Sequence, residues 1–293
     1  MNVSVIIPTF NRKAHLNNLL NQLLQQTDLL AAEKVDVIVA MDGSTDGTLE
    51  MLDSEFPKVH VVKGDGNWWY TESINQGFRF AETLNPDMVL TLNDDVELDS
   101  NYLKSVFSAS AQMKHKAIIG SLSVTSTEPH KVFFAGVKHI SWVTGSRTRY
   151  FDFYERVDLA QMTGLHGSKV LPGRGMLIPF ATAKSLKYFD SKFVQYGSDD
   201  DFCLRAQRTG CEVYISWDSR IYCFDQLTGQ GSPKVKQSFS QYVKRAFNEH
   251  SPTSIKKDIR LISRNVHPLL VPIACSFKIA QTVYTYFKYQ KGN

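Results

Sequence analysis

Four times in the first hundred residues a short apolar run gives way to a helical repeat, and this alternation constrains the fold more than any other feature. VSVIIPTF (3–10) is almost continuously apolar, as strands buried on both faces are, and Pro8 ends it. Leu16, Leu19, Leu20, Leu23 and Leu24 then recur at helical spacing. KVDVIVAMD (34–42) reads as a second strand, followed by the polar turn DGSTDGT and a helix through Leu49 and Leu52. KVHVVKG (58–64) reads as a third strand, with a helix expected from near Ser73 through Ala81, and DMVLTLND (87–94) as a fourth. Such repetition predicts an α/β fold with a mostly parallel sheet flanked by helices on both faces.

The chain of 293 residues is 43% hydrophobic, enough for one large domain or one domain with an appendage. Met1-Asn2 leads straight into a strand, so no secretory signal is read there. Val266 to Ala280, the most apolar stretch, is broken by Pro268, Pro272 and Lys278 and does not read as a membrane span. Cys203, Cys211, Cys223 and Cys275 match no zinc spacing and read as reduced thiols of a cytoplasmic protein.

The formal charge of +4 hides an asymmetry. Residues 232–293 hold 11 Lys/Arg against 2 Asp/Glu, a net +9, whereas the rest of the chain carries −5. The tail reads as basic amphipathic helix interrupted by prolines. It fits an anionic membrane surface, packing on the acidic body, or a homodimer contact. Without a recognised binding module its charge does not point to nucleic acid. Between Ala117 and Val170 the chain is aromatic and β-rich (KVFFAGVKHISWV, RTRYFDFY). ATAKSLKYF (181–189) then looks helical, and so does YGSDDDFCLRAQRTG (196–210), with Ser198 and Asp201 spaced as a capping box and Gly210 placed to close the helix. CEVYISW (211–217) reads as the last strand.

In open parallel sheets, ligands bind beyond the carboxyl ends of the strands. Three ends here carry polar groups: Thr9 and Asn11, then Asp42, then Asn93-Asp94-Asp95. The adjacent carboxylates of VLTLNDDVELD either face a divalent cation, with a diphosphate as co-ligand, or form an acidic turn capping the helix near Tyr102. Asp199, Asp200 and Asp201 either complement a helix dipole or supply a general base. Trp68 and Trp69 fit stacking on a base or sugar, or packing. Arg174, in the GRG stretch, fits a phosphate contact or a surface turn. His130, His139 and His166 lack ligand spacing, and no P-loop or G-x-G-x-x-G pattern is present.

The ordered set VIIPTFNR, DGSTDGT, GNWWYTESINQG, LNDDV, LPGRGMLIP and YGSDDDFCLRAQRTG resembles the family 2 glycosyltransferases of the GT-A fold, over about Val3 to Asp225. The double tryptophan and LPGRG are similar to a rhamnosyltransferase-like bacterial subgroup. The resemblance implies a catalytic domain over 1–231, nucleotide-binding over about 1–116 and acceptor-binding over 117–231; the charge pattern adds a basic helical extension over 232–293. It implies that Pro8, Thr9, Asn11 and Arg12 line the nucleotide, that Asp42 binds the base and that Asp94 binds ribose or donor sugar. Trp68, Trp69, Asn75, Asn93 and Arg174 complete the nucleotide-sugar site. Asp95 would hold Mg²⁺ or Mn²⁺, with Asp225 standing in for a metal-binding histidine of some relatives and Asn93 replacing the first acid of a D-x-D motif. Asp199 would be the catalytic base, Ser198 replaces its usual glutamate neighbour, and Arg205 braces the acidic helix.

What the resemblance implies is inverting transfer from a nucleotide-diphosphate sugar to a hydroxyl of a glycan or lipid-linked acceptor. The setting would be bacterial surface polysaccharide synthesis, in the cytoplasm or peripherally on the inner face of its membrane. A nucleotidyltransferase making a sugar nucleotide and a non-catalytic nucleotide-sugar or glycan binder are the alternatives.

Overall fold

The computed structural model describes residues 1–28, 30, 34–224 and 238–291, with side chains to residue 287. The first half alternates as the apolar runs require: β1 (Asn2–Thr9), α1 (Lys13–Thr27), β2 (Lys34–Asp42), α2 (Thr48–Glu55), β3 (His60–Gly64), α3 (Trp69–Leu84) and β4 (Met88–Thr91). Then come β5 (Val96–Leu98), α4 (Tyr102–Gln112), β6 (Ile118–Thr125), β7 (Val132–Phe134), β8 (Val137–Ile140), β9 (Arg147–Arg149) and β10 (Leu165–Gly167). The remainder is β11 (Met176–Pro179), α5 (Phe180–Ser185), α6 (Ser198–Arg208), β12 (Val213–Cys223), α7 (Phe239–Phe247), α8 (Ile255–Asn265) and α9 (Val271–Lys291).

The main path of the large sheet runs β10-β12-β6-β11-β4-β1-β2-β3. β4, β1, β2 and β3 are mutually parallel, as are β6 and β12, and β11 joins the two blocks by running antiparallel to both. Both faces are covered. Val3, Val5 and Ile7 pack with Leu16, Leu19, Leu20 and Leu23 of α1 on one side, while Ile6, Ile38 and Val89 pack with Phe78 of α3 and Phe202 of α6 on the other. The four α1 leucines are fully buried, each contributing roughly 1.5–3 kcal/mol. β8 and β9 form a separate two-stranded ribbon.

Two helix starts differ from expectation, for tertiary reasons. α3 begins at Trp69 rather than near Ser73. Its leading N–H groups are satisfied from another strand: Asp42 accepts from Gly66 N (2.8 Å), Trp68 N (2.9 Å) and Trp69 N (3.1 Å). In α6 the capping box does not form. Gly197, at φ 90°, is the cap residue, and Ser198 is the first helical residue. The Ser198 hydroxyl accepts instead from Thr71 Oγ1 at 2.9 Å. Gly210, at φ 87°, closes the helix as its position predicted.

The expected boundary at 231/232 lies outside the described residues, but the helices beyond it are described. Among the described residues no helix is long and apolar enough to cross a membrane. α8 packs on the body and spends its cations there. Arg264 pairs with Asp190 and, at 2.6 Å, with Asp201. Arg205 takes the other Asp201 oxygen at 2.7 Å and donates to the carbonyls of Leu186 and Tyr188 (2.7 and 2.8 Å), so it braces this helix. Asp201 has only 2% of its side chain exposed, so removing one partner leaves a buried charge half-paired. Arg264→Ala is expected to lower stability by roughly 1–3 kcal/mol, read as a lower midpoint in denaturant. An unchanged midpoint would mean that α8 docks through its apolar residues alone.

Candidate active site

A cleft of about 670 Å³ opens over the carboxyl ends of β1, β2 and β4. Parallel register brings those ends together: Thr9 pairs with Met41, Ile6 pairs with Thr91, and Leu92 N donates to Ile6 O. Thr9 Oγ1 donates to Asp94 Oδ2 at 2.8 Å, and Arg12 Nη1 lies 2.9 Å from Asp94 Oδ1 and 3.2 Å from Asp95 Oδ2. The adjacent acids thus face a cation, and it is a guanidinium of the chain itself. Burial pushes the Asp94 pKa up to about 6, with Arg12 pulling it down and Asp95 pushing it up.

The expected nucleotide residues separate into two groups. Pro8, Thr9, Arg12, Asp42, Trp69, Asn93, Asp94 and Arg174 line the cleft, whereas Asn11, Trp68 and Asn75 are not among its lining residues. Asn11 is a stitch at the exposed rim, its Oδ1 accepting from Thr45 N at 2.7 Å and its own N donating to Ser44 Oγ. Asn75 is buried between α3 and the chain after α5, exchanging two hydrogen bonds with the Phe189 backbone. Trp68 packs against the Gly64 backbone: a Cβ added at that glycine would come within 2.7 Å of the indole. Trp69, at φ 56° and half-exposed, reaches the cleft, and the ring of His250 from the extension covers it at 3.8 Å. Asp42 reaches the cleft too, but its carboxylate is committed to the three N–H groups of the Gly66–Trp69 turn.

The PGRG turn closes the floor. Thr91 Oγ1 donates to Gly173 O (2.5 Å) and Ser121 Oγ to Gly175 O (2.8 Å), fixing the turn above β4 and β6. Gly173 N donates to Asp199 Oδ2 at 3.0 Å, which ties the turn to the first turn of α6. Arg174 lies 3.3 Å from Cys223 Sγ and 5.0 Å from the Phe133 ring centroid. Burial, then the neighbouring Asp200 charge, raises the Asp199 pKa to about 6. Both Asp95 and Asp199 open onto this one cleft.

Tyr70 completes the floor, and the sequence reading passed over it in favour of the tryptophans beside it. Its buried hydroxyl has no hydrogen-bond partner among the described residues and lines the cleft. A Cβ at Gly173 would stand 1.7 Å from Tyr70 Oη, so the first glycine of GRG leaves room for this hydroxyl. Burial and the Asp199 charge push its pKa up, so it stays a neutral donor. An orphaned buried hydroxyl is costly unless something fills the cleft and bonds it. Tyr70→Phe is expected to leave thermal stability unchanged or raised while lowering kcat/KM roughly tenfold. Unchanged kinetics would remove Tyr70 from the site.

The outer half is built by β8, β9 and the extension. Arg147, Arg149, Phe153, Pro252 and Lys257 line it, and Arg147 bonds Asp200 at 2.5 Å. The RTR pattern carried a readable signal, because residues two apart on a strand share a face. Lys257 carried none, since only tertiary packing brings it there.

The donor set fits a hard divalent ion. Asp95 Oδ1 and Asn93 Oδ1 are buried oxygens with no hydrogen-bond partner among the described residues. Mg²⁺ and Mn²⁺ need only one or two protein oxygens when substrate phosphate and water complete the shell. Among the described residues no cluster of three or more His, Cys, Asp or Glu stands ready for a metal, so the ion would rely on substrate oxygens. Asp225 lies outside the described residues.

Comparison with known proteins agrees with this architecture. The 4,4'-diaponeurosporenoate glycosyltransferase of Staphylococcus haemolyticus (strain JCSC1435) is 29% identical over 142 residues, 47% of this chain and 35% of that protein. The chain thus spans about a third of that relative's length. Among solved structures, GalNAc-T7 crystallised with UDP, GalNAc and Mn²⁺ has a TM-score of 0.63 at 15% identity, covering 84% of this chain and 48% of that one. The S. aureus TarS 1-349 complex with UDP-GlcNAc has a TM-score of 0.57 at 15% identity, covering 100% and 93%. These two likenesses are of fold, and both neighbours share the GT-A-like arrangement of a largely parallel sheet between helices. The sequence pattern described as Glycosyl transferase family 2 matches residues 4–164, a stretch that runs through β1, β2 and β4 and their cleft, and the chain belongs to that family.

Proposed function

We propose that the chain transfers a sugar from a nucleotide-diphosphate sugar to a hydroxyl of a glycan or lipid-linked acceptor, with inversion, in bacterial surface polysaccharide synthesis. The carrying observation is that one cleft holds the Asp94-Asp95 pair, the half-buried Asp199 and the Tyr70 hydroxyl, which has no hydrogen-bond partner among the described residues.

Asp95 and Asn93 would hold the divalent ion, which when bound supplies Lewis-acid stabilisation of charge on the departing nucleoside diphosphate. Asp199, fixed by the Gly173 and Asp200 N–H groups, removes the proton from the acceptor hydroxyl as its oxygen attacks the anomeric carbon. The C–O bond to the diphosphate breaks as the new glycosidic C–O bond forms. With Asp199 as the one base and the Asp94-Asp95 pair given to the donor and its ion, the reading is a single inverting displacement. Trp69 and Asp42 give the nucleotide end a ring face and a rigid turn, and Tyr70 and Arg174 supply donors to sugar or phosphate oxygens.

A thermal-shift screen of nucleoside diphosphates and their sugars, with and without Mn²⁺, tests this reading. Stabilisation by one nucleotide class, increased by Mn²⁺, is the expected result. Released product separates the nucleotidyltransferase alternative: a transferase frees nucleoside diphosphate, the alternative frees pyrophosphate. Residual donor hydrolysis with no acceptor present would count against a non-catalytic binder.

The extension supports peripheral attachment to an anionic membrane. Ile273, Phe277 and Tyr284 of α9 recur at helical spacing and are exposed, in an extension whose net charge of +9 exceeds what Arg264 and Lys278 use in their ion pairs. Co-sedimentation with phosphatidylglycerol vesicles but not phosphatidylcholine vesicles is expected, and equal sedimentation with neither would sink the attachment.

A further inference from the structure

We infer that the outer half of the cleft is a subsite for an anionic group, a phosphate or carboxylate, carried by the acceptor next to the hydroxyl that is glycosylated. The inference rests on the transferase reading and narrows its acceptor class.

Arg147, Arg149 and Lys257 converge there from two separate parts of the chain. Two of the three cations are already answered. Arg147 bonds Asp200, and Lys257 lies 3.6 Å from Asp258. Arg149 is different. It is half-buried, its guanidinium stands 4.7 Å from the Phe153 ring centroid, and among the described residues no carboxylate is within ion-pair distance. Burial and the Arg147 charge lower its pKa, with Asp152 and Asp200 offsetting part of that. A half-desolvated guanidinium without a counterion is an unfavourable resting arrangement that an incoming anion relieves.

The position identifies which substrate brings the anion. Arg147 holds Asp200, the residue after the base Asp199, and Arg149 follows two residues along the same strand face, roughly 7 Å further out. That spacing, about the width of one sugar ring, separates Arg149 from the arginine that holds the neighbour of Asp199. The donor diphosphate has its own cationic residues, Arg12 and Arg174, beside Asp94 and Asp95. Phe153, 44% exposed, adds an aromatic ring beside the Arg149 guanidinium, and such a pair suits a charged carbohydrate better than a bare ion.

The test compares Kd values of glucose 6-phosphate, glucuronate and glucose by Trp fluorescence, with and without saturating UDP to fill the diphosphate half. Wild-type protein is expected to bind one of the two charged sugars roughly tenfold more tightly than glucose, the worth of one charge-assisted hydrogen bond. A preference for glucose 6-phosphate assigns a phosphate, and a preference for glucuronate assigns a carboxylate. Arg149→Gln, which keeps most of the stem against Phe153, should abolish the preference. Arg149→Lys should restore part of it, and UDP binding should stay within about twofold in both, because its contacts lie elsewhere. Equal binding of all three sugars by wild type overturns the inference. So does an Arg149→Gln variant that loses UDP as strongly as the charged sugar, since Arg149 would then serve the donor. If UDP fails to bind even wild-type protein, the transferase reading fails, while the sugar arm run without nucleotide still decides the subsite.

Discussion

Asp199→Asn is expected to abolish glycosyl transfer, by roughly 10²–10⁴-fold in kcat, while leaving donor binding near wild type. The asparagine keeps the size of the side chain and can accept one of the two N–H groups that the Asp199 oxygens take from Gly173 and Asp200, but it cannot take a proton. The same carboxylate sets a pH limit. With its pKa raised to about 6 by burial and Asp200, it is ionised above that pH and protonated below. kcat/KM should therefore fall at least tenfold per pH unit below pH 6, and the fall should be shallower in the residual activity of the variant, where only the Asp94 carboxyl, also raised to about 6, is left to titrate. Linkage has a definite sign here. A carboxyl whose pKa is higher in the folded state holds its proton more tightly there, so its contribution to stability declines as pH rises from the ordinary carboxylate range through about 6. The melting temperature of Asp199→Asn relative to wild type should then rise as pH rises through about 6. A variant that loses donor binding or unfolds would assign Asp199 to architecture instead.

Asp95→Asn is expected to erase the Mn²⁺-dependent part of nucleotide stabilisation and to lower transfer by roughly 10²-fold or more. It should spare the metal-free thermal shift that nucleotide contacts alone produce. The isosteric amide keeps the volume beside Arg12, whose stronger contact is to Asp94 at 2.9 Å rather than to Asp95 at 3.2 Å. Persistence of the full Mn²⁺ effect in this variant would remove Asp95 from the metal site, and with it the reason for two neighbouring acids at the end of β4.

Legibility in the sequence followed the range of the interactions concerned. β1, β2 and β4 were readable because a strand covered on both faces must be apolar almost throughout, and their polar ends marked one edge of the sheet. The antiparallel insertion of β11 was not, since LIP reads alike in either direction. Asn11 and Asn75 carry the same side-chain amides as any ligand contact, and only their partners, Thr45 and Phe189, reveal them as stitches. Ser198 looked like a cap because serine usually is one. The left-handed Gly197 and the distant Thr71 decide otherwise. Tyr70 stood in plain view within GNWWYTES, but the orphaned state of its hydroxyl is a property of the packed site. Lys257 reaches the cleft from the extension and His250 stacks on Trp69 at its edge, and no local pattern foretells either.

Arg12 gives the idle cleft a tethered neutraliser. A lone ion drifting in must compete with a guanidinium already seated against both acids, whereas an ion arriving with a polyanion offers that guanidinium a new berth. Under the proposed reading, loading would be conditional: free magnesium by itself would gain little foothold, and the pocket's affinity for metal would become a readout of whether its phosphorylated companion has come too.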